Sequence, residues 1–205
     1  MVGYDVGVRY AVHMMQVAGL SRSQVYENLA ICFLVAGPRG METIALALKD
    51  YEWAEPARQA TFPDGWVHRP DFLRSGLDFS TREASAGEVE LMRGWYVRTI
   101  GEVPPHVELL LDLRPELLKA YRNRYENLLR ELPTEFIPAS LLHYDVIRGF
   151  SEGIRENVLL LRSLGVAREI VVNIAGSASL NGGMAGFSVM AKAAGDVLRN
   201  WRGNR

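Results

Sequence analysis

The chain carries a single cysteine, Cys32, among 205 residues. One cysteine excludes an internal disulfide, a C-x-x-C redox pair and a cysteine-rich zinc site. Net charge is equally scarce, because 23 basic residues against 24 acidic ones leave a formal charge of −1. Without a basic excess the chain lacks the footprint of a general nucleic-acid binder. A hydrophobic content of 48% separates it from disordered chains. Its apolar runs break before the roughly 20 residues that a membrane span needs. Tyr4, Asp5 and Arg9 interrupt the first stretch, which therefore lacks the basic-then-apolar layout of a signal peptide. Strict apolar–polar alternation is missing as well. These absences predict a cytoplasmic all-α protein with neither a membrane span nor a nucleic-acid partner.

What is present is helical spacing, punctuated by glycine and proline. The spacing predicts helices over 2–18, from a Ser21–Gln24 capping box to Ala36, and from Gly40 to Trp53. Residues 55–79 break the pattern with three prolines and the aromatics Phe62, Trp66, Phe72 and Phe79, as expected of a long loop that packs over the core or covers a site. Ser80 with Glu83 predicts a further helix to Ile100. Pro115 opens an amphipathic one whose apolar face is Leu117, Leu118, Tyr121, Tyr125, Leu128, Leu129 and Leu132. Helical segments follow over 139–164, 167–180 and 184–201. The expected organisation is a single all-α domain over 1–205. In it, 1–54 form a first repeat unit, 55–79 the aromatic loop, and 80–205 linker helices with a second repeat unit.

The repeat rests on an offset of 146 residues, which lays 8–50 on 154–196 with eleven identities in 43 positions. Unrelated segments of ordinary composition share about three. Among the identities are Gly19/Gly165, Gly37/Gly183 and Gly40/Gly186, together with Arg9/Arg155, Ala47/Ala193 and Asp50/Asp196. Amphipathic helices share apolar spacing by default, but that does not put three turn glycines in register. The pattern points to an internal duplication in which two copies pack about a pseudo-two-fold axis.

The stretch GEVPPHVELLLDLRPELLKAYRNRYENLLRELP (101–133), followed by ENVLLLRSLGVAREIVVNIAGSASLNGGM (156–184), resembles the carboxymuconolactone decarboxylase and alkylhydroperoxidase-D-like superfamily. YAVHMMQVAGLSRSQVYENLAICFLVAGPRGME (10–42) is similar to the same final part of the pattern. The resemblance implies an alkylhydroperoxidase-D-like helical fold with tandem repeats, assembly as a homotrimer, and a decarboxylase-type lyase or a peroxidase. Where the peroxidase branch carries C-x-x-C and a histidine, this chain has Phe150, Gly153 and Asn157 in one copy and Tyr4, Gly7 and Ala11 in the other. Thiol chemistry needs a thiolate and a resolving partner. Cys32, set mid-helix between Ile31 and Phe33, reads as an inert buried thiol.

Residues 143–157 hold the candidate chemistry. If this segment is one helix, Asp145, Arg148, Glu152 and Arg155 share a face, with His143 and Tyr144 at its upper end. That face is either a solvated salt-bridge ladder or a polar stripe lining a pocket. Acid–arginine pairs recur as Asp5/Arg9 and Glu152/Arg155. In the functional reading Glu152, His143 or Asp145 moves a proton, while Arg155, Arg9 or Tyr144 binds a small carboxylate substrate. No cofactor motif and no histidine spacing suited to a metal is present. The competing reading is a non-catalytic, partner-binding member of the family.

Overall fold

A computed structural model describes residues 5–201, so Tyr4 and the first residues of the expected N-terminal helix lie outside the described residues. The described residues form ten α-helices and no β-strand. In chain order these are α1 (Asp5–Val17), α2 (Arg22–Leu48), α3 (Pro70–Leu73), α4 (Ala86–Ile100), α5 (Pro105–Leu113), α6 (Pro115–Glu126), α7 (Phe136–Arg148), α8 (Ser151–Ser163), α9 (Arg168–Gly182) and α10 (Met184–Arg199). The all-α class is what the sequence implies. Two compact units partition the chain. The first comprises Met1–His68 with Asn127–Thr134, the second Arg69–Glu126 with Glu135–Arg205.

In the first unit α1 packs on α2. Val12 and Val25, each 0% exposed, anchor that contact. The turn between the helices closes on Gly19 at φ 96, with Gly19 N–H donating to the Gln16 carbonyl and Leu20 N–H to that of Met15. These are the two bonds of a glycine C-cap. The chain at 58–60 also passes so close that a β-carbon on Gly19 would meet the Arg58 carbonyl and the Ala60 nitrogen. The expected Ser21–Gln24 capping box opens α2, with both reciprocal bonds formed. The expected break at Gly37 is present: the backbone leaves helical geometry there, at φ 56 and ψ −151, so α2 is two helical stretches meeting at a kink. By length and composition α2 could cross a membrane, a test that the core helix of a soluble protein also passes. Buried Glu27 of α2 accepts the Glu131 and Leu132 backbone N–H groups, which fastens 127–134 to this unit. Cys32 is exposed rather than buried, because its position on α2 turns outward. Even so, its surroundings hold the thiol above its ordinary pKa by desolvation, which disfavours a reactive thiolate.

In the second unit α7 packs on α8 and α9, and α10 covers both. The turn between α8 and α9 repeats the geometry at Gly19. Gly165 sits at φ 81, its N–H donates to the Arg162 carbonyl, and Val166 N–H donates to that of Leu161. Arg9 Nε donates to the Ala47 carbonyl at 2.7 Å, and Arg155 Nη1 donates to that of Ala193 at 3.1 Å.

Three expectations need correction. Residues 139–164 are not one helix: Gly149, left-handed at φ 65, ends α7, and α8 starts at Ser151. Asp145 and Arg148 therefore stand on one helix, Glu152 and Arg155 on the next. The helix expected from Ser80 starts at Ser85, whose capping box with Glu88 is complete. The rival Glu83 instead gives its backbone carbonyl to the buried Lys119 ammonium at 2.7 Å, and that ammonium also pairs with Glu88. Finally, α6 stops at Glu126, so Leu129 and Leu132 are buried beyond the helix rather than along its face. Arg122 of α6 is 1% exposed, stacks 3.8 Å over the Trp95 ring and donates to Glu126 and to the Leu73 carbonyl.

Gly186 of α10 lies against Val146 of α7, where a β-carbon would fall on the Val146 carbonyl oxygen. Gly186→Ala is expected to cost about 1–3 kcal/mol through overpacking. Gly176→Ala, facing open space on α9, is expected to raise stability slightly through helix propensity. Thermal unfolding of the two variants beside the native chain checks this.

Candidate functional site

A cavity of about 420 Å³ opens in the second unit. Its apolar wall is Ile100, Val103, Pro104, Pro105 and Ala193, and its polar groups are Glu102, Ser151, Glu152, Arg155 and Glu156. The two prolines fix the backbone entering α5, and the first turn of α8 supplies the opposite wall. None of the lining residues comes from the 55–79 loop.

Of the residues singled out by sequence, Glu152 and Arg155 meet at this cavity. They do not pair with each other as expected. Glu152 is exposed and accepts the Ser151 hydroxyl at 2.7 Å. That bond, its own backbone N–H at the start of α8, and the nearby His106 hold its carboxyl below the ordinary range. Arg155 is engaged on two sides. Its Nε donates to Glu102 Oε1 at 2.8 Å, while Nη1 donates to the Ala193 carbonyl and, at 3.2 Å and 3.3 Å, to the two Asp196 oxygens. These carboxylates hold it firmly charged.

Asp145 does not line the cavity. It lies 6% exposed on α7, where Asn157 Nδ2 donates to Oδ2 at 3.0 Å. A β-carbon on Gly153 would fall on that same Oδ2. The carboxylate thus fills the space beside Gly153 and takes its hydrogen bond from Asn157. Burial pushes the Asp145 carboxyl up to about 7, against the opposing bond from Asn157. His143 and Tyr144 are half-buried on α7 and lie outside the cavity wall. Burial alone depresses the His143 pKa. Arg9 belongs to the first unit, bonded to Ala47.

Sequence reasoning missed Glu156 and His106. The Glu156 side chain is 17% exposed at the cavity wall, and its Oε2 lies 3.5 Å from His106 Nε2. Burial pushes the Glu156 carboxyl up to about 7; the Asp145 charge adds to this and Arg122 opposes it. Burial depresses His106, the adjacent Glu152 acting in the other direction. The His106 Nδ1 atom is buried without a partner, which favours the tautomer carrying its proton on Nε2, toward Glu156. The available sequence signal was the place of Glu156 one turn after Glu152 and one residue before Asn157. A carboxyl at a cavity wall whose pKa is raised to about 7 can give and take a proton at carbon or oxygen.

Comparison with family models, with curated proteins and with solved structures gives no match. Among the described residues no group of three or more His, Cys, Asp or Glu side chains is placed to hold a metal ion.

Both carboxyls are raised in the fold above their ordinary values of 3.8 and 4.5. The folded state therefore binds protons that the unfolded state has already released. Their stabilising contribution is complete below about pH 4 and disappears as the pH rises through about 7. The depressed His106 and His143 act in the opposite sense over part of that window, so the check is a comparison by denaturant unfolding: Asp145→Asn should lose less stability than the native chain as the pH rises from about 4 to about 7.

Proposed function

We propose that this protein is a proton-transfer enzyme, a decarboxylase-type lyase or an isomerase acting on a small, carboxylated, enolisable compound. The fold in this reading is alkylhydroperoxidase-D-like and built by internal duplication. The matched Gly19 and Gly165 turns and the matched Arg9–Ala47 and Arg155–Ala193 bonds support that origin. The observation that carries the activity is the place of Glu156, a largely buried carboxyl at a cavity wall, where burial and the Asp145 charge raise its pKa to about 7. In a decarboxylation, the bond to the substrate carboxylate breaks, carbon dioxide leaves, and the electron pair forms an enolate. Protonated Glu156 then delivers its proton to carbon. In an isomerisation the ionised form removes a proton next to a carbonyl and returns it elsewhere. The apolar wall shields the enolate from water, and Arg155 offers the one cationic group among the cavity-lining residues. Glu152, the acid favoured on sequence grounds, is ionised and exposed, so the proton role passes to Glu156.

A second reading is a binding member without catalysis, and the engagement of Arg155 by Glu102 and Asp196 favours it. In either reading the resemblance implies a homotrimer, testable by solution mass. Release of carbon dioxide from a panel of β-keto acids separates the two. Glu156→Gln should reduce turnover by at least about 100-fold, the scale of general acid–base catalysis, while Glu152→Gln retains most of it. Equal rates for Glu156→Gln and the native chain would overturn the enzymatic reading.

A further inference from the structure

Arg155 presents two edges, and the structure uses them differently. The Nη1 side is built in: it bonds the Ala193 carbonyl of α10 and both oxygens of Asp196. Arg9 also bonds a carbonyl 38 residues away, that of Ala47, though through Nε rather than Nη1. This anchor fixes the plane of the guanidinium. The Nε side meets Glu102 alone, through one oxygen at 2.8 Å. A guanidinium edge is a two-pronged fork that fits both oxygens of a carboxylate, and Glu102 fills half of it. Glu102 follows left-handed Gly101 in the short turn between α4 and α5, and its side chain is 48% exposed. Both Glu102 and Arg155 line the cavity. An exposed monodentate ion pair contributes little, so a bidentate rival can replace it.

We propose that the Nε–Nη2 edge of Arg155 is a carboxylate-binding site, and that Glu102 is a built-in competitor that occupies it until a ligand carboxylate displaces it. The inference rests on the reading of this cavity as a substrate site and names how the substrate is admitted. Only a ligand whose carboxylate takes both N–H groups outcompetes Glu102, so amines and uncharged compounds leave the contact closed. The charge of the cavity sharpens this choice. Glu152 is ionised beside the fork and repels an anion that fails to pair with Arg155.

The test is calorimetric titration with 4-oxopentanoate, a stable keto acid, against pentylamine as the charge-inverted control. Glu102→Gln should bind 4-oxopentanoate about tenfold more tightly than the native chain, as expected for removal of one charge-assisted bond. Glu152→Gln, which removes a negative charge without freeing the fork, should gain no more than about threefold. Arg155→Lys in the Glu102→Gln background, with folding verified by circular dichroism, should lose the gain. Equal gains for Glu102→Gln and Glu152→Gln would reduce the effect to bulk charge and overturn the proposal. So would absence of carboxylate binding in Glu102→Gln, or tighter binding of pentylamine. Carboxylate binding with this pattern but no turnover in the Glu156 experiment would leave the binding site standing and remove the enzymatic reading.

Discussion

A left-handed backbone costs an L residue roughly 1–2 kcal/mol, and Gly149 takes that conformation at no steric cost where α7 must give way to α8. The reversal brings α8 back against α7. With the chain so folded, Asp145 stands over Gly153 and within reach of Asn157. Glu152, Arg155 and Glu156 reach the other wall of the second unit's cavity. A continuous helix would have strung Asp145, Arg148, Glu152 and Arg155 along one surface, with no interior to desolvate them. Burial of the two carboxyls, and their upward displacement to about 7, depends on this one bend.

The parts of the fold legible in the sequence were those with local causes. A C-terminal glycine turn needs positive φ, so Gly19 and Gly165 marked their own bends. Ser21 and Gln24 marked a helix start because the capping bonds are made within three residues. Gly149 was ambiguous, since glycine also occurs inside helices at a cost of about 1 kcal/mol. Only the packing of α8 on α7 decides between the two outcomes. Ser80–Glu83 and Ser85–Glu88 carry the same letters at the same spacing, and Lys119, more than thirty residues away, tips the balance.

The site itself was half legible for the same reason. Arg155 and Glu152 stood out by charge, and Arg155 also by its match to Arg9 at the 146-residue offset. Glu156 did not, because a glutamate just before Asn157 and the Val158–Leu161 run could as easily face solvent. What buries it is α4, together with α5 and α6, which bring Tyr96, His106, Tyr121 and Arg122 around it from distant positions in the chain. Arg122, stacked on Trp95 and tied to Glu126, places a fixed positive charge within that shell. It tempers the ionisation cost of Glu156 without neutralising it.

A wall carboxyl whose pKa burial has raised to about 7 couples occupancy to solution acidity. Entry of an anion beside Glu156 would shift that equilibrium toward the protonated form, so each binding event would draw a fraction of a proton from the medium. The measured heat of association would then depend on the ionisation enthalpy of the surrounding buffer, making the thermodynamic ledger of ligand capture inseparable from the choice of solvent salt.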